Sequence, residues 1–260
     1  MSVTEKEVQE ASSHGRVLIV TAVDAERDAV LRGLRGDERF DVIAAGVGPA
    51  AAAAVTAVKI ASAAAGAGKA AAEAGDHRAG LVAATGEGSG AGAGAYRLVI
   101  SAGIAGGFPG RAPIGSLVVA TDMIAADLGV ETPDGFASVD ELGFGSSRIL
   151  ADARLASALA AKLGGAAGLT VSTGPVLTVT TATGTAATAA EHLRRVPGAT
   201  AEAMEGFGVA IAAQHAGLPV LELRAISNAV GPRDRDAWRI GDALRALEQA
   251  STILTEVLSS

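Results

Sequence analysis

The chain has 260 residues, enough for one large α/β domain or two small ones. Its formal net charge of -7 argues against a nucleic-acid backbone or an anionic membrane surface as partner. Apolar residues make up 49% of the chain and aromatics 3%, so the core must be built from Ala, Val, Leu and Ile. The absence of cysteine excludes disulfides, thiol nucleophiles and thiolate metal sites, and fits a reducing cytoplasm.

Residues 1–15, "MSVTEKEVQEASSHG", are polar and lack the apolar region of a signal peptide. They read as a flexible tail before a single domain over 16–260. The first predicted strand is Arg16–Val23, followed by a helix over Ala25–Arg35, a strand over Phe40–Val47 and a helix over Ala50–Ala65. The Ala/Gly-rich stretch around 66–95 reads as a mobile surface insertion, because the same style of strand resumes after it. No run has the bulk of a membrane span, since Gly, Lys and Glu interrupt the Ala-rich segments. Strands follow at Tyr96–Gly103 and Gly115–Asp122, then a helix at Ser147–Leu163, a strand at Thr173–Thr181 and a helix at Ala186–Arg195. The chain finishes with a strand at Gly198–Met204, a helix at Gly206–Ala216, a strand at Val220–Val230 and a helix at Ile240–Leu258. Near-continuous apolar strands alternating with helices predict one α/β domain whose sheet is covered on both faces.

In open α/β sheets ligands gather at the carboxyl ends of the strands. Acids, glycines and one amide collect at those ends here. Asp24, Glu26 and Arg27 follow the first strand, Gly46 and Gly48 the second, and "SAGIAGGF" (Ser101–Phe108) the third. Two readings of each stand at this point. Asp24 is a helix cap or a ligand-facing acid, and Glu26 is a first-turn acid favoured by the helix dipole or a catalytic group. Gly46-Val47-Gly48 lacks the third glycine of a dinucleotide turn, because position 51 is Ala51, so it reads as a tight strand–helix turn and no cofactor is expected. Ala105 and Gly106 lie in a plain loop or bring backbone N–H groups to a ligand. Thr183, in the "ATGT" after a later strand, is a further candidate contact. Glu205, bracketed by small and apolar residues in "AEAMEGFGVA", is either satisfied by buried donors or exposed to a ligand; the second reading is favoured. His14, His77, His192 and His215 have no metal-ligand spacing and read as surface residues, so no metal is expected.

Taken together, "VTAVDAERD", "GVGPAAAA", "ISAGIAGGF", "AMEGFGVA" and "LRAISNAVG" occur in the order found in the nucleoside phosphorylase/nucleosidase superfamily, which the chain resembles over nearly all of Arg16–Val257. The resemblance is to its purine nucleosidases, which cleave methylthioadenosine and adenosylhomocysteine. Within that group "SAGIAGGF", "TVTTATGTAATA" and "AMEGFG…RAISNAVG" are most similar to the futalosine hydrolases of an alternative menaquinone pathway. The resemblance implies a three-layer α/β/α fold of the nucleoside phosphorylase type around a central twisted mixed sheet. It implies hydrolysis of an N-glycosidic bond without cofactor, and a homodimer or higher homo-oligomer. Glu26 falls on the acid that activates water, Met204 on the residue beneath the ribose, and Glu205 on the carboxylate that binds ribose hydroxyls.

The chain departs from the adenine-specific members in four places. Asn228 stands where they have an aspartate. Ala203 replaces a glutamate, with Glu202 one place earlier. Ala182 replaces the phenylalanine against the base, and Ile104 a serine. Base stacking is therefore expected from Phe108, Phe136 or Phe207. Arg111, Arg233 and Arg235 are candidates for a cation at the 5′ end, with Phe136, Leu142 and Phe144 as an apolar wall. Asn228 suits a 6-oxopurine: its amide donates to O6 and accepts from a protonated N7. A phosphorylase would need arginines to cradle phosphate, and neither the first turn nor "ISAGIAGGF" offers a dedicated one. The small-molecule partner expected is thus a hypoxanthine-type nucleoside, with Asn228 and Glu26 as the catalytic pair. A non-catalytic purine-binding protein is the alternative of another class.

Overall fold

The computed structural model describes residues 15–73 and 96–258. The expected tail and most of the Ala/Gly-rich insertion, with His14 and His77, lie outside the described residues.

The described residues form ten strands: β1 (Arg16–Thr21), β2 (Phe40–Ala44), β3 (Tyr96–Gly107), β4 (Leu117–Ala125), β5 (Gly129–Thr132), β6 (Gly135–Ser138), β7 (Arg148–Leu150), β8 (Val171–Thr178), β9 (Ala201–Ala203) and β10 (Val220–Ala229). They also form six helices: α1 (Asp24–Leu34), α2 (Pro49–Glu73), α3 (Ala153–Gly164), α4 (Ala186–Arg195), α5 (Gly206–His215) and α6 (Ile240–Val257).

Eight strands form one mixed sheet in the order β10-β4-β8-β9-β3-β1-β2, with β7 on the edge of β4. Strand β10 also pairs with β3. The sheet therefore curls into a closed ring of β10, β4, β8, β9 and β3, from which β1 and β2 extend. Both faces are covered, as the strand composition requires. Leu98, Ile100, Leu221 and Leu223 pack one face against α1, α3 and α6, through residues such as Val30, Leu159 and Leu247. Val99, Val118 and Val176 pack the other face against α2 and α5, through Ala52, Ile60, Val209 and Ala213. These are mostly small and branched aliphatics, as an aromatic-poor composition requires.

Several boundaries depart from the sequence expectation. The third strand does not stop at Gly103; β3 continues through Gly107, so "GIAGG" is strand and not loop. Its last residues pair with both β9 and β10, which supplies ladder partners a loop would lack. The helix expected from Ser147 begins at Ala153. Asp152 caps it by accepting from Leu155 N at 2.8 Å, and Arg148–Leu150 upstream is the edge strand β7. A hairpin, β5–β6, was not expected. It turns at "PDG", and Gly135 takes φ 120, open to glycine alone without strain. Helix α2 continues past Ala65 to Glu73. Its segment Pro49–Ala67 has mean hydropathy 1.5, long and apolar enough to cross a membrane by length and composition, contrary to the expectation of no such run. Ala52, Thr56 and Ile60, spaced by one turn, bury one face of it in the domain.

Candidate active site

Glu26 sits on the first turn of α1, and its side chain turns back under the helix. Oε2 accepts from Ala22 N at 2.9 Å and Val23 N at 3.2 Å, and Oε1 accepts from Ile104 N at 2.8 Å. The carboxylate thus satisfies two orphan donors at the helix start and one on β3. It is 3% exposed, yet it lines a cavity of ≈ 610 Å³. The two readings of Glu26 are not exclusive: one side chain caps α1 and faces the cavity. Asp24, by contrast, makes no cap. It ion-pairs with Arg27 at 2.7 Å on the helix surface.

Close approach at this point depends on Gly103. A Cβ there would lie 2.6 Å from Glu26 Oε1 and 2.8 Å from Arg224 Nη1. Arg224 projects from β10 and is 1% exposed. Its Nε donates to Glu222 Oε1 at 2.8 Å and its Nη2 to Ser101 Oγ at 2.9 Å, and its Nη1 pairs with Glu205 Oε2 at 3.4 Å. Burial opposes the charge on Arg224, but Glu222, Glu205 and Glu26 outweigh it and raise the guanidinium pKa above its ordinary value. Burial also pushes the Glu222 carboxyl upward, against the pull of Arg224. Neither residue of this buried pair was singled out from the sequence, where "LELR" resembles an ordinary alternating strand.

Glu205 stands at the start of α5 without capping it. Thr178 Oγ1 accepts from Phe207 N at 2.9 Å instead, which frees the Glu205 carboxylate. Glu205 Oε1 then accepts from Gly48 N at 3.2 Å. Gly46 and Gly48 take φ 91 and 96, which makes the tight turn expected of "GVG" and points that N–H at the acid.

The carboxyl end of β10 explains the amide at its tip. Ile226 pairs with Ala105 and Asn228 with Gly106, so Ser227 is an extra residue, a bulge that re-aims the chain. Ser227 Oγ donates to Asn228 Oδ1 at 2.8 Å, and Asn228 Nδ2 donates to Ala229 O at 3.0 Å. The amide keeps one N–H and one acceptor lone pair for a ligand. Gly106 gives it room, since a Cβ would lie 3.2 Å from Asn228 Nδ2.

The cavity therefore gathers Glu26, Ala105, Gly106, Thr183, Met204, Glu205 and Asn228, all singled out from the sequence. Its volume falls within the range of small-molecule sites. Other expectations fail. Phe108, Phe136 and Phe207 do not line it. Phe108 is fully buried among Ile124, Leu177 and Val179, and Phe207 packs into the core beneath α5. Phe136 lies under the Arg195 guanidinium at 4.3 Å, in a separate cavity of ≈ 600 Å³ that holds neither Glu26, Glu205 nor Asn228. The aromatic lining the described cavity is Trp238, with the Arg233 guanidinium 5.5 Å from its ring. Arg111 donates to Pro197 O at 2.7 Å, and neither it nor Arg235 lines the cavity. Leu142 and Phe144 are also absent from its wall, and Phe144 is 83% exposed. His192 is not a surface residue: it is 6% exposed, with Nδ1 3.3 Å from Glu202 Oε2.

The sequence profile of the Phosphorylase superfamily matches residues 5–260. A futalosine hydrolase of Streptomyces coelicolor is 49% identical over 94% of this chain and 97% of its own length. One from Acidothermus cellulolyticus is 45% identical over 91% of this chain and 89% of its own. The chain belongs to the Phosphorylase superfamily, among the futalosine hydrolases. Solved structures agree on the fold. A Neisseria meningitidis 5′-methylthioadenosine/S-adenosylhomocysteine nucleosidase superposes with TM-score 0.65 at 16% identity, covering 94% of this chain and 98% of that one. The futalosine hydrolase of Helicobacter pylori gives the same score and identity over 94% and 97%. The expected three-layer arrangement with a mixed central sheet is the fold of this superfamily.

Proposed function

We propose that the protein hydrolyses the N-glycosidic bond of futalosine and releases hypoxanthine. The observation that carries this reading is the convergence of Glu26, Glu205 and Asn228 on one cavity, in a chain 49% identical to a futalosine hydrolase. Breaking the bond between C1′ and N9 leaves positive charge on the ribose and sends an electron pair to the purine. Glu26 takes a proton from water as its oxygen bonds to C1′. Glu205 clamps the ribose hydroxyls above Met204, and its charge complements the cationic sugar. Asn228 donates to O6 and accepts from N7–H as the base leaves. It has no proton to give, so N7 is protonated from solvent or another donor. Arg224 links Glu205 to the site's charge balance; with two carboxylates on its guanidinium, it is not a free phosphate cradle.

The place of the reaction is the alternative menaquinone pathway, in the cytoplasm, as a homodimer or higher homo-oligomer. The exposed apolar face of α2, where Val55 is 40% and Val58 66% exposed, supports the assembly. The test is a turnover comparison of futalosine, inosine and methylthioadenosine. Futalosine is expected to be fastest and methylthioadenosine slowest. Preference for methylthioadenosine would replace the base assignment.

A further inference from the structure

Four carboxylates line the described cavity, and the chemistry above uses Glu26 and Glu205. Of the other two, Asp234 is solvent-exposed, whereas Glu202 is 7% exposed and projects from β9. It pairs with Gly106 across one edge of β3, and Asn228 pairs with the same Gly106 across the other. Residues directly opposite in a sheet share a face. Glu202 and Asn228 therefore flank Gly106 two strand spacings apart, roughly 10 Å between backbones. Gly106 puts no side chain between them, and all three line the same cavity; a Cβ there would meet Val230 Cγ2 at 2.9 Å and Asn228 Nδ2 at 3.2 Å.

Glu202 is fixed from behind. Oε1 accepts from Thr183 N at 2.8 Å, and Oε2 accepts from Thr183 Oγ1 at 2.6 Å. His192 Nδ1 lies 3.3 Å from Oε2 and from Thr183 Oγ1. Both Thr183 donors are thus spent on the acid, so the group presented to a ligand here is the carboxylate. An ionised carboxylate has about four acceptor sites and no donor, so Oε1 keeps one free.

A 6-oxopurine carries N7, O6 and N1–H in sequence along one edge. Adenine offers an acceptor at N1 in place of the N–H. We propose that Glu202, held by the positioning residues Thr183 and His192, determines base specificity by accepting the N1–H of a 6-oxopurine while Asn228 reads O6 and N7. This rests on the proposed function and deepens it: the base is recognised from both sides of Gly106. An adenine in the same place would set its N1 lone pair against the carboxylate.

The test is calorimetric binding of hypoxanthine, 1-methylhypoxanthine and adenine to the parent protein and to Glu202→Gln and Glu202→Ala. The parent should bind hypoxanthine at least about tenfold more tightly than either other base, the scale of one lost buried hydrogen bond. Glu202→Gln should lose about tenfold or more for hypoxanthine and hold or gain affinity for adenine. Glu202→Ala should bind hypoxanthine and 1-methylhypoxanthine alike. Equal loss for every base in Glu202→Gln would mark a structural role and overturn the assignment. So would a parent that binds 1-methylhypoxanthine as tightly as hypoxanthine, a result that needs no variant to fold. A parent that prefers adenine overturns the 6-oxopurine reading itself. A parent that prefers hypoxanthine, beside an unchanged Glu202→Gln, overturns Glu202 alone.

Discussion

Replacing Glu26 with glutamine is commonly treated as a neutral way to remove a catalytic charge. Here it is not neutral, because three backbone N–H groups converge on the carboxylate. If the glutamine oxygen keeps Ala22 N and Val23 N, its NH₂ opposes Ile104 N–H at the position where Oε1 accepted at 2.8 Å. One buried donor is then left unsatisfied, at about 1–3 kcal/mol. The reverse orientation strands two donors and costs more. At about 2–4 °C per kcal/mol for a chain of this size, Tm should fall by several degrees while the protein stays folded. Loss of the general base should slow hypoxanthine release by about 10²–10⁴. Hypoxanthine binding should stay within a few-fold of the parent, since Glu26 faces the water and the sugar. The assays are hypoxanthine release, thermal unfolding and calorimetry with the free base. Turnover within a few-fold of the parent would refute the base assignment. Loss of turnover together with loss of hypoxanthine binding would show that the acid organises the cavity without transferring a proton.

Gly106→Ala places a Cβ 2.9 Å from Val230 Cγ2 and 3.2 Å from Asn228 Nδ2, so the tip of β10 must shift. An overpacking cost of about 1–3 kcal/mol is expected, with kcat/KM for futalosine down at least about tenfold in a folded protein. Asn228→Asp should move preference toward adenine nucleosides; an unchanged ratio of inosine to adenosine turnover would mean that Asn228 does not read the base. Arg224→Met leaves Glu222 and Glu205 without their shared cation and should cost about 3–5 kcal/mol. Burial already raises the Glu222 carboxyl above its unfolded value, and without Arg224 nothing opposes that shift. The folded variant then holds a proton that the unfolded chain releases, so its stability must fall as pH rises. Urea unfolding at about pH 5.5 and about pH 8 should show the deficit against the parent growing with pH, and a deficit that shrinks would contradict it.

What the sequence made legible was mostly what lies at strand ends. Glu26 follows β1 and Asn228 closes β10, and the carboxyl-end rule needs no knowledge of the partner strands. The residues that were missed depend on pairing across the sheet. Glu222 and Arg224 are buried side by side, because β10 pairs with β3 on one edge and β4 on the other, and Arg224 reaches Glu205 behind the cavity wall. From one strand alone they look like solvent-facing charges. Glu202 and His192 meet across 10 residues of loop and helix, and only the fold shows that each is the other's partner. Trp238 left a signal, as the chain's one tryptophan ten places beyond Asn228, but nothing local ties it to a cavity. The β5–β6 hairpin was readable from "PDG" between the short runs "GVET" and "FAS", a turn sequence that brings two strands together. The false helix start at Ser147 has a local cause. The aliphatic pattern of α3 continues backwards through Ile149 and Leu150, and only Asp152 marks the boundary.

The most direct test of the central claim is hypoxanthine release from futalosine in phosphate-free buffer. The account predicts full turnover, unchanged when phosphate is added, with the free sugar as second product. Release that depends on phosphate and yields a sugar 1-phosphate would contradict it.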